Sequence, residues 1–288
     1  MKLLLEEFWT NRFHPSCAGL RECTRMGYES AWRIHIQPKL GGCELGELDV
    51  MRIEEWLASI PTRGGAVKAW GVLRAMLRKA VRWGLLDHDV TVMVKAPRKP
   101  DRQPDLLDMG QIRSLLQGFW GHDLEAWLIC SVTLGLRPEE AHGLEWADIN
   151  LVSGETRIHH CVQWLNGREV VVDPKTDLSR RKLVLPRFAV NRLRQLRGKE
   201  RLVGTLNPGQ VDRRYRAWCR RNDLPFVPRR NLRHSWATSA LAAGVDVAVV
   251  SRALGHSSIQ TTARYYLRPD LAVLKDAQKV WEKALMNA

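Results

Sequence analysis

No two of the six cysteines form a C-x-x-C pair. Cys17, Cys23, Cys43, Cys130, Cys161 and Cys219 are scattered, at spacings that match no zinc template. Neither a cysteine-built metal site nor a disulfide framework is expected, and this usage fits a reducing cytoplasm. No apolar run approaches the roughly 18 residues that a membrane-spanning helix needs. The opening MKLLLEEFW has too short an apolar run for a secretory signal, so no leader is expected. Internal repeats and long low-complexity tracts are also lacking. Tyrosine is scarce: there are four, two of them adjacent at the end of LGHSSIQTTARYY, Leu254–Tyr266, with His256 nine residues before the first of the pair.

Acid is scarce where base is dense. Between Arg180 and Arg233 there are seventeen Lys or Arg against three acids, Glu200, Asp212 and Asp223, so this window carries the whole of the chain's +14 net charge. A concentrated basic surface is the footprint of a polyanionic partner, because every phosphate neutralised releases counterions. Pro186, Pro208, Pro225 and Pro228 interrupt the window, which excludes one long amphipathic membrane-surface helix. Nucleic acid is the favoured partner class, against a solvated basic face that only aids solubility.

At 288 residues and 45% hydrophobic content the chain is long enough for two globular domains with sizeable cores. KAPRKPDRQPD, Lys95–Asp105, holds three prolines among charged residues and reads as a linker over 96–105. The part before it, 1–95, reads as helical. Thr24 is placed to cap a helix carrying Tyr28, Trp32 and Ile36, which Pro38 and Gly41-Gly42 should end. Asp49 is placed to cap a second helix. After Gly64-Gly65 a third carries Val67, Trp70, Leu73, Leu77 and Val81 at spacings of three and four. The part after the linker, 106–288, opens on a capping box, Asp108 with Gln111. Its middle changes period. ETRIHHCVQWL, the Asn166-Gly167 turn, REVVVD and RRKLVLP together predict a small antiparallel meander over Glu155–Pro186. Helical patterns resume from Phe188. The fold class expected is mainly α with a small antiparallel sheet, α+β. Most of the twelve tryptophans sit at helical spacing among apolar residues and read as core, not as base-stacking platforms.

Five polar features suit phosphoryl chemistry. Arg137 stands before Pro138 at a turn between helices. Lys175 lies past the second strand. Arg230, Arg233 and His234 fall near a helix start. His256 follows Gly255, a candidate helix-ending glycine. Tyr265 follows Thr261-Thr262 on an expected short helix. A phosphodiester is shielded by its own charge and has a poor alkoxide leaving group. Cleavage without a metal needs arginines on the non-bridging oxygens, a proton for the departing oxygen, and a nucleophile whose ester conserves bond energy. A tyrosine phenol is such a nucleophile. Each residue also has an ordinary reading: Arg137 as a surface cap, Lys175 as a solvated loop residue, His256 as a partner for helix carbonyls, Tyr265 as core. Spacing alone does not bring them together.

TLGLRPEEAHGLEWADI, PKTDLSRRKLVLP and NLRHSWATSALAAGVDVAVVSRALGHSSIQTTARYY resemble, in order, the first arginine box, the lysine strand and the second arginine box of the tyrosine recombinases, or phage integrases. GYESAWRIHIQPKLG and LRAMLRKAVRWGLL resemble the helical, SAM-like core-binding domain of that family. The resemblance covers almost the whole chain. It implies a core-binding domain over 1–95 and a catalytic domain over 106–288. It also implies a site-specific recombinase that cuts and rejoins duplex DNA through a 3′-phosphotyrosyl intermediate and a four-way junction. Arg137, Lys175, Arg233, His256 and the nucleophile Tyr265 would be catalytic, with Glu140 supporting. Arg230 stands where the family usually has a histidine, and arginine does not readily accept a proton. No cofactor and no catalytic metal are implied.

The partners implied are attachment-type DNA sites, a homotetramer joined through a carboxyl-terminal helix over 270–286, and accessory directionality or DNA-bending factors. No membrane partner is expected. The implied location is the bacterial cytoplasm, and no additional arm-binding domain is expected at the amino end. Two other readings share the scaffold: a catalytically reduced DNA-binding regulator, which Arg230 would favour, and an enzyme like a type IB topoisomerase.

Overall fold

The computed structural model describes residues 3–98, 104–173, 179–196, 198, 201–256 and 258–266, together with 278, 281, 282, 285 and 286. For Thr261, Arg264, Tyr265 and Tyr266 it describes the backbone alone. The chain divides into two compact units, Met1–Gln103 and Pro104–Ala288.

The first unit is helical. α1, Leu5–Phe8, continues into a π-helical turn, Trp9–Phe13. α2, Glu22–Ala31, passes through a second π turn, Trp32–Ile36, into α3, Gln37–Leu40. Two expectations are corrected here. The residue before α2 is Arg21, whose side chain makes no cap bond, and Thr24 lies inside the first turn. Pro38 does not end the helical run. It falls in the first turn of α3, where a missing N–H leaves no bond unmade.

α4, Val50–Ala58, starts at Asp49, whose Oδ1 accepts from the Arg52 N–H at 2.8 Å. α5, Arg63–Arg82, starts at Thr62 and contains the Gly64-Gly65 pair instead of following it. The helices close over Phe8, Ile36, Ile53, Leu73, Met76 and Leu77, all fully buried. Trp9 and Trp32 stack with ring centroids 4.7 Å apart, consistent with tryptophan as core.

The second unit begins with α6, Met109–Gly118. Here the Asp108–Gln111 capping box forms with bonds of 2.7 and 3.0 Å. α7, Glu125–Leu134, is buried almost all round and ends at Gly135 with φ +60°. A Cβ at Gly135 would stand 2.4 Å from the Trp236 ring, so the turn needs glycine both for its backbone and for its space. Leu136 and Arg137 then lead into α8, Pro138–Gly143.

The expected meander forms instead as two separate ladders among the described residues. β1, Glu155–Ile158, is followed by β2, Cys161–Leu165, and β3, Arg168–Val172. β2 and β3 form a hairpin across Asn166-Gly167, both at positive φ. β4, Arg181–Val184, returns antiparallel to β1. The first run breaks at His159-His160 because both rings are tied to groups outside the ladder: His159 to Asp148 at 2.7 Å and His160 to the Gly143 carbonyl at 2.8 Å.

α9, Arg187–Leu196, and α10, Pro208–Arg221, follow. α11, Arg229–Ala242, and α12, Val247–Leu254, come next. Gly255 terminates α12 at φ +65°, and α13, Ile259–Tyr266, completes the motif region. The core gathers on Leu115, Leu124, Trp127, Leu128, Tyr215 and Leu232. The architecture is mostly helical with small antiparallel sheets. The carboxyl-terminal helix expected over 270–286 falls mainly outside the described residues, Leu271 and Leu274 included. Of those described there, Trp281 and Leu285 are helical and exposed.

Candidate active site

The carboxyl end of α12 organises the site. Its last carbonyls have no partner within the helix, and three arginines from three distant segments supply one each. Arg181, opening β4, donates to Ala253 O at 2.5 Å. Arg233, on α11, donates to Leu254 O at 2.7 Å. Arg137 donates to Gly255 O at 2.9 Å. The negative end of the helix favours the cations in addition.

Glu140 binds the same arginines from the opposite side. Its oxygens accept from Arg137 Nη1 at 2.7 Å, from the Arg137 backbone N–H at 2.8 Å, and from both Arg181 Nη atoms at 3.0 and 2.9 Å. Pro138 fixes the first turn of α8, so Glu140 reaches back to Arg137 as a capping-box acid does. Burial alone would raise the Glu140 carboxyl, but hydrogen bonds and charge from Arg181, then Arg137, bring it below the ordinary value.

Arg233 is buried and also donates to Gly135 O at 2.9 Å. Its Nη2 lies 3.0 Å from His256 Nε2. A guanidinium only donates, so His256 Nε2 carries the lone pair. Nδ1 then carries the hydrogen and donates to Thr262 Oγ1 at 2.8 Å. Burial, followed by the charges of Arg233, Arg137, His234 and Arg181, pulls the His256 ring down to about 4, so it is neutral at neutral pH. Three guanidinium groups around one carboxylate leave a local excess of positive charge. Arg137, the most exposed of the three with 34% of its side chain accessible, faces solvent, whereas the Arg181 and Arg233 side chains are each 7% accessible. The arrangement suits an anion with two or more oxygens.

Of the residues singled out in the sequence, the fold brings together Arg137, Glu140, Arg233 and His256. Arg230 is exposed in the first turn of α11 and makes no hydrogen bond to these four among the described residues. After burial and Arg233, its charge contributes to holding His234 below the usual histidine value. Lys175 lies outside the described residues. Tyr265 is placed by backbone alone, one helical turn past Thr262 on α13.

Sequence reasoning missed Arg181 and Thr262. Arg181 is the second of two adjacent arginines in RRKLVLP, and only pairing of β4 with β1 turns it inward. Thr262 is one of two adjacent threonines and is fully buried. The basic window is also less free than its count implies. Arg192 pairs with Glu125, Arg201 with Glu169, Arg214 with Asp123 and Arg229 with Asp212. Arg187, Arg213, Arg220, Arg221 and Arg230 are exposed and form no ion pair with described residues.

The neutral histidines carry a pH prediction. His142 on α8 is 1% exposed, and burial, with the charges of Arg229 and Arg201, lowers it to about 4 from the ordinary 6.5 despite Glu169. Between those values the unfolded chain binds a proton that the folded one does not. The stability these two histidines lend is therefore complete above 6.5 and is lost as pH falls toward 4. Melting temperature is expected to fall across that interval, and less steeply in His142→Met. Equal slopes in the two proteins would contradict the assignment.

The Phage integrase family matches residues 111–271. A "Tyrosine recombinase XerC" of Neisseria meningitidis serogroup B is 29% identical over 274 residues, covering 91% of this chain and 79% of that protein. A "Tyrosine recombinase XerC-like" protein of Caldanaerobacter subterraneus subsp. tengcongensis is 22% identical, covering 85% of this chain and 74% of its own length. In fold, the Tn1549 transposon integrase, solved with transposon right end DNA, superposes with a TM-score of 0.78 at 15% identity, over 97% of this chain and 100% of that one. A lambda integrase tetramer bound to a Holliday junction gives 0.71 at 16% identity, over 94% and 80%. The chain belongs to the phage integrase family and is a tyrosine recombinase.

Proposed function

We propose that this recombinase cuts and rejoins duplex DNA at specific sites with Tyr265 as nucleophile. The observation that carries the proposal is the seat of Arg137 and Arg233 on the end of α12, beside neutral His256. Arg137 and Arg233 bind the non-bridging oxygens of the scissile phosphate and stabilise the charge gathered in the transition state. The Tyr265 phenol oxygen bonds to phosphorus. The bond to the 5′-oxygen breaks, and that oxygen takes a proton from Lys175. The product is a 3′-phosphotyrosyl ester and a free 5′-hydroxyl. Attack by the partner strand's 5′-hydroxyl expels the phenolate and reseals the backbone.

Arg230 does not readily take the phenol proton. His256 keeps a lone pair on Nε2, which an incoming phosphate frees by drawing the Arg233 N–H to itself. We assign proton acceptance to His256 or to a water beside it, and an orienting role to Glu140. Two such exchanges pass through a four-way junction, within a tetramer joined by the segment 270–286. The domain boundaries near 96–105, the accessory factors and a cytoplasmic location belong to the same proposal. Among the described residues no helix is long and apolar enough to cross a membrane.

The test uses nicked suicide duplexes carrying candidate junction sequences, with denaturing gels to detect a covalent protein–DNA species. Adduct, followed by strand exchange between two sites, is the expected result. Binding without adduct would instead make the protein a regulator on this scaffold, with Arg230→His as the reversion to try. Relaxation of supercoiled DNA with no site requirement would indicate topoisomerase-like chemistry.

A further inference from the structure

The break between β1 and β2 holds a constellation that strand transfer does not use. His159 Nε2 lies 2.7 Å from Asp148 Oδ1, and His160 Nε2 lies 2.8 Å from the Gly143 carbonyl oxygen. A carboxylate and a backbone carbonyl offer lone pairs only, so each Nε2 must carry its ring's hydrogen. In the neutral rings both Nδ1 atoms therefore carry lone pairs, and these two atoms lie 3.3 Å apart. The rings meet edge to face, with centroids 4.5 Å apart. Two lone pairs at that distance repel unless a positive centre lies between them.

We propose that His159 and His160 form a binding site for a divalent transition-metal ion, coordinated by the two Nδ1 atoms. A tetrahedral ion with metal–nitrogen bonds of about 2.0–2.1 Å sets its nitrogen ligands about 3.3–3.4 Å apart, which matches the Nδ1 separation, and sets the ring centroids about 5 Å apart, so binding turns at least one ring out of the present edge-to-face contact. Asp148 and Gly143 O act as the outer partners that fix the tautomers and aim the rings. Asp148 is not a third ligand in this reading, although its carboxylate lies within 4.8 Å of both rings, because its Oδ1 is committed to His159 and its Oδ2 accepts from the Glu145 N–H. The side chain of His159 is 55% accessible, so the remaining coordination positions open to water. Imidazole-only ligation selects zinc, nickel, copper(II) or cobalt over magnesium or calcium.

The site joins the carboxyl end of α8, the short turn Trp146–Asp148 and the start of β2. α8 also carries Glu140, which seats Arg137 and Arg181, so a bound ion would stiffen the base of the arginine cluster without touching the reacting atoms. Cysteine spacing gave no sign of this site because it is built from two adjacent histidines, whose outer partners Asp148 and Gly143 lie 11 and 17 residues from them.

The test is titration of the EDTA-treated full chain with cobalt(II), followed by the visible ligand-field bands whose intensity reports tetrahedral coordination, then displacement by zinc. One cobalt per chain with intense bands is expected, lost in His159→Ala and in His160→Ala. Zinc should raise the melting temperature of the wild type and of neither variant. Asp148→Asn should weaken binding by about 10-fold or more. Because Asp148 also supports a turn, the two histidine variants, at less buried positions, decide the matter. Absence of the bands in the wild type, or bands that survive both histidine substitutions, would overturn the site. So would nitrogen NMR showing a shared proton between the two rings that zinc does not displace.

Discussion

Tyr265→Phe is expected to abolish the covalent protein–DNA adduct on a suicide duplex, a loss on the order of 10⁴-fold or more in strand cleavage. Tyr266→Phe is expected to leave adduct formation within a few-fold of wild type. Phenylalanine keeps the ring and its packing and removes only the oxygen that would bond to phosphorus, so the variant should still bind DNA. Thr262 ties α13 to His256 through a 2.8 Å hydrogen bond, and Tyr265 follows one turn later on that helix. Tyr266 is the next residue on the helix, turned by about 100°. Adduct that persists in Tyr265→Phe and disappears in Tyr266→Phe would shift the nucleophile by one residue. Adduct that persists in both would remove the tyrosine pair from the chemistry altogether.

Glu140→Ala should be the most damaging substitution in the site that does not alter a proposed reacting group. Glu140 is fully buried and accepts four hydrogen bonds from Arg137 and Arg181, with a guanidinium nitrogen of Arg233 at 4.0 Å. Alanine would leave Arg181 buried, with only the Ser179 and Ala253 carbonyls of its present partners. Breaking one side of a buried ion pair costs about 3–5 kcal/mol, because the remaining charge stays uncompensated. A surface acid would cost under about 0.5 kcal/mol. Urea unfolding reads the difference. Glu140→Gln should fall between wild type and alanine, since an amide keeps the shape and one acceptor oxygen but loses the charge. A loss below about 1 kcal/mol for alanine would mean that the arginines find other partners and that the carboxylate does not hold the cluster together. Strand cleavage should drop in Glu140→Ala even under conditions where the protein stays folded, since Arg137 would lose the partner that aims it.

Much of this molecule is legible residue by residue. Asp49, Asp108 and Gln111 act on backbone groups two to four residues away, so their caps can be read from spacing alone. The Asn166-Gly167 turn is of the same kind, because its positive φ values are a local demand. Gly255 and its left-handed conformation belong here too, and with them the end of α12, on which the three arginines converge.

Where sequence reading went astray, the structure around the motif had decided the outcome. Pro38 should have stopped a helix, but a π turn delivers it to a first-turn position where it does no harm. The meander became two ladders because His159 and His160 found partners in a neighbouring turn and helix. Seventeen basic residues read as one cationic surface, yet Arg192, Arg201, Arg214 and Arg229 among others are held by acids, some as remote as Glu125 and Asp123.

The amino-acid sequence by itself determined the helical class, most of the local caps and turns, and the basic character, and it offered Arg137, Arg233 and His256 as residue types suited to a phosphate, with Glu140 added only by resemblance to a family. Local hydrogen bonding and side-chain chemistry act over a few residues, and a linear reading captures them. Tertiary structure alone decided that Arg181 turns inward beside Glu140, that Arg233 fixes the His256 tautomer, and that the Nδ1 atoms of His159 and His160 lie 3.3 Å apart. Arg181 meets Glu140 and Arg233 meets His256 across 41 and 23 residues of chain, and the two adjacent histidine rings are turned by Asp148 and Gly143 in other elements, so packing, not spacing, sets these distances.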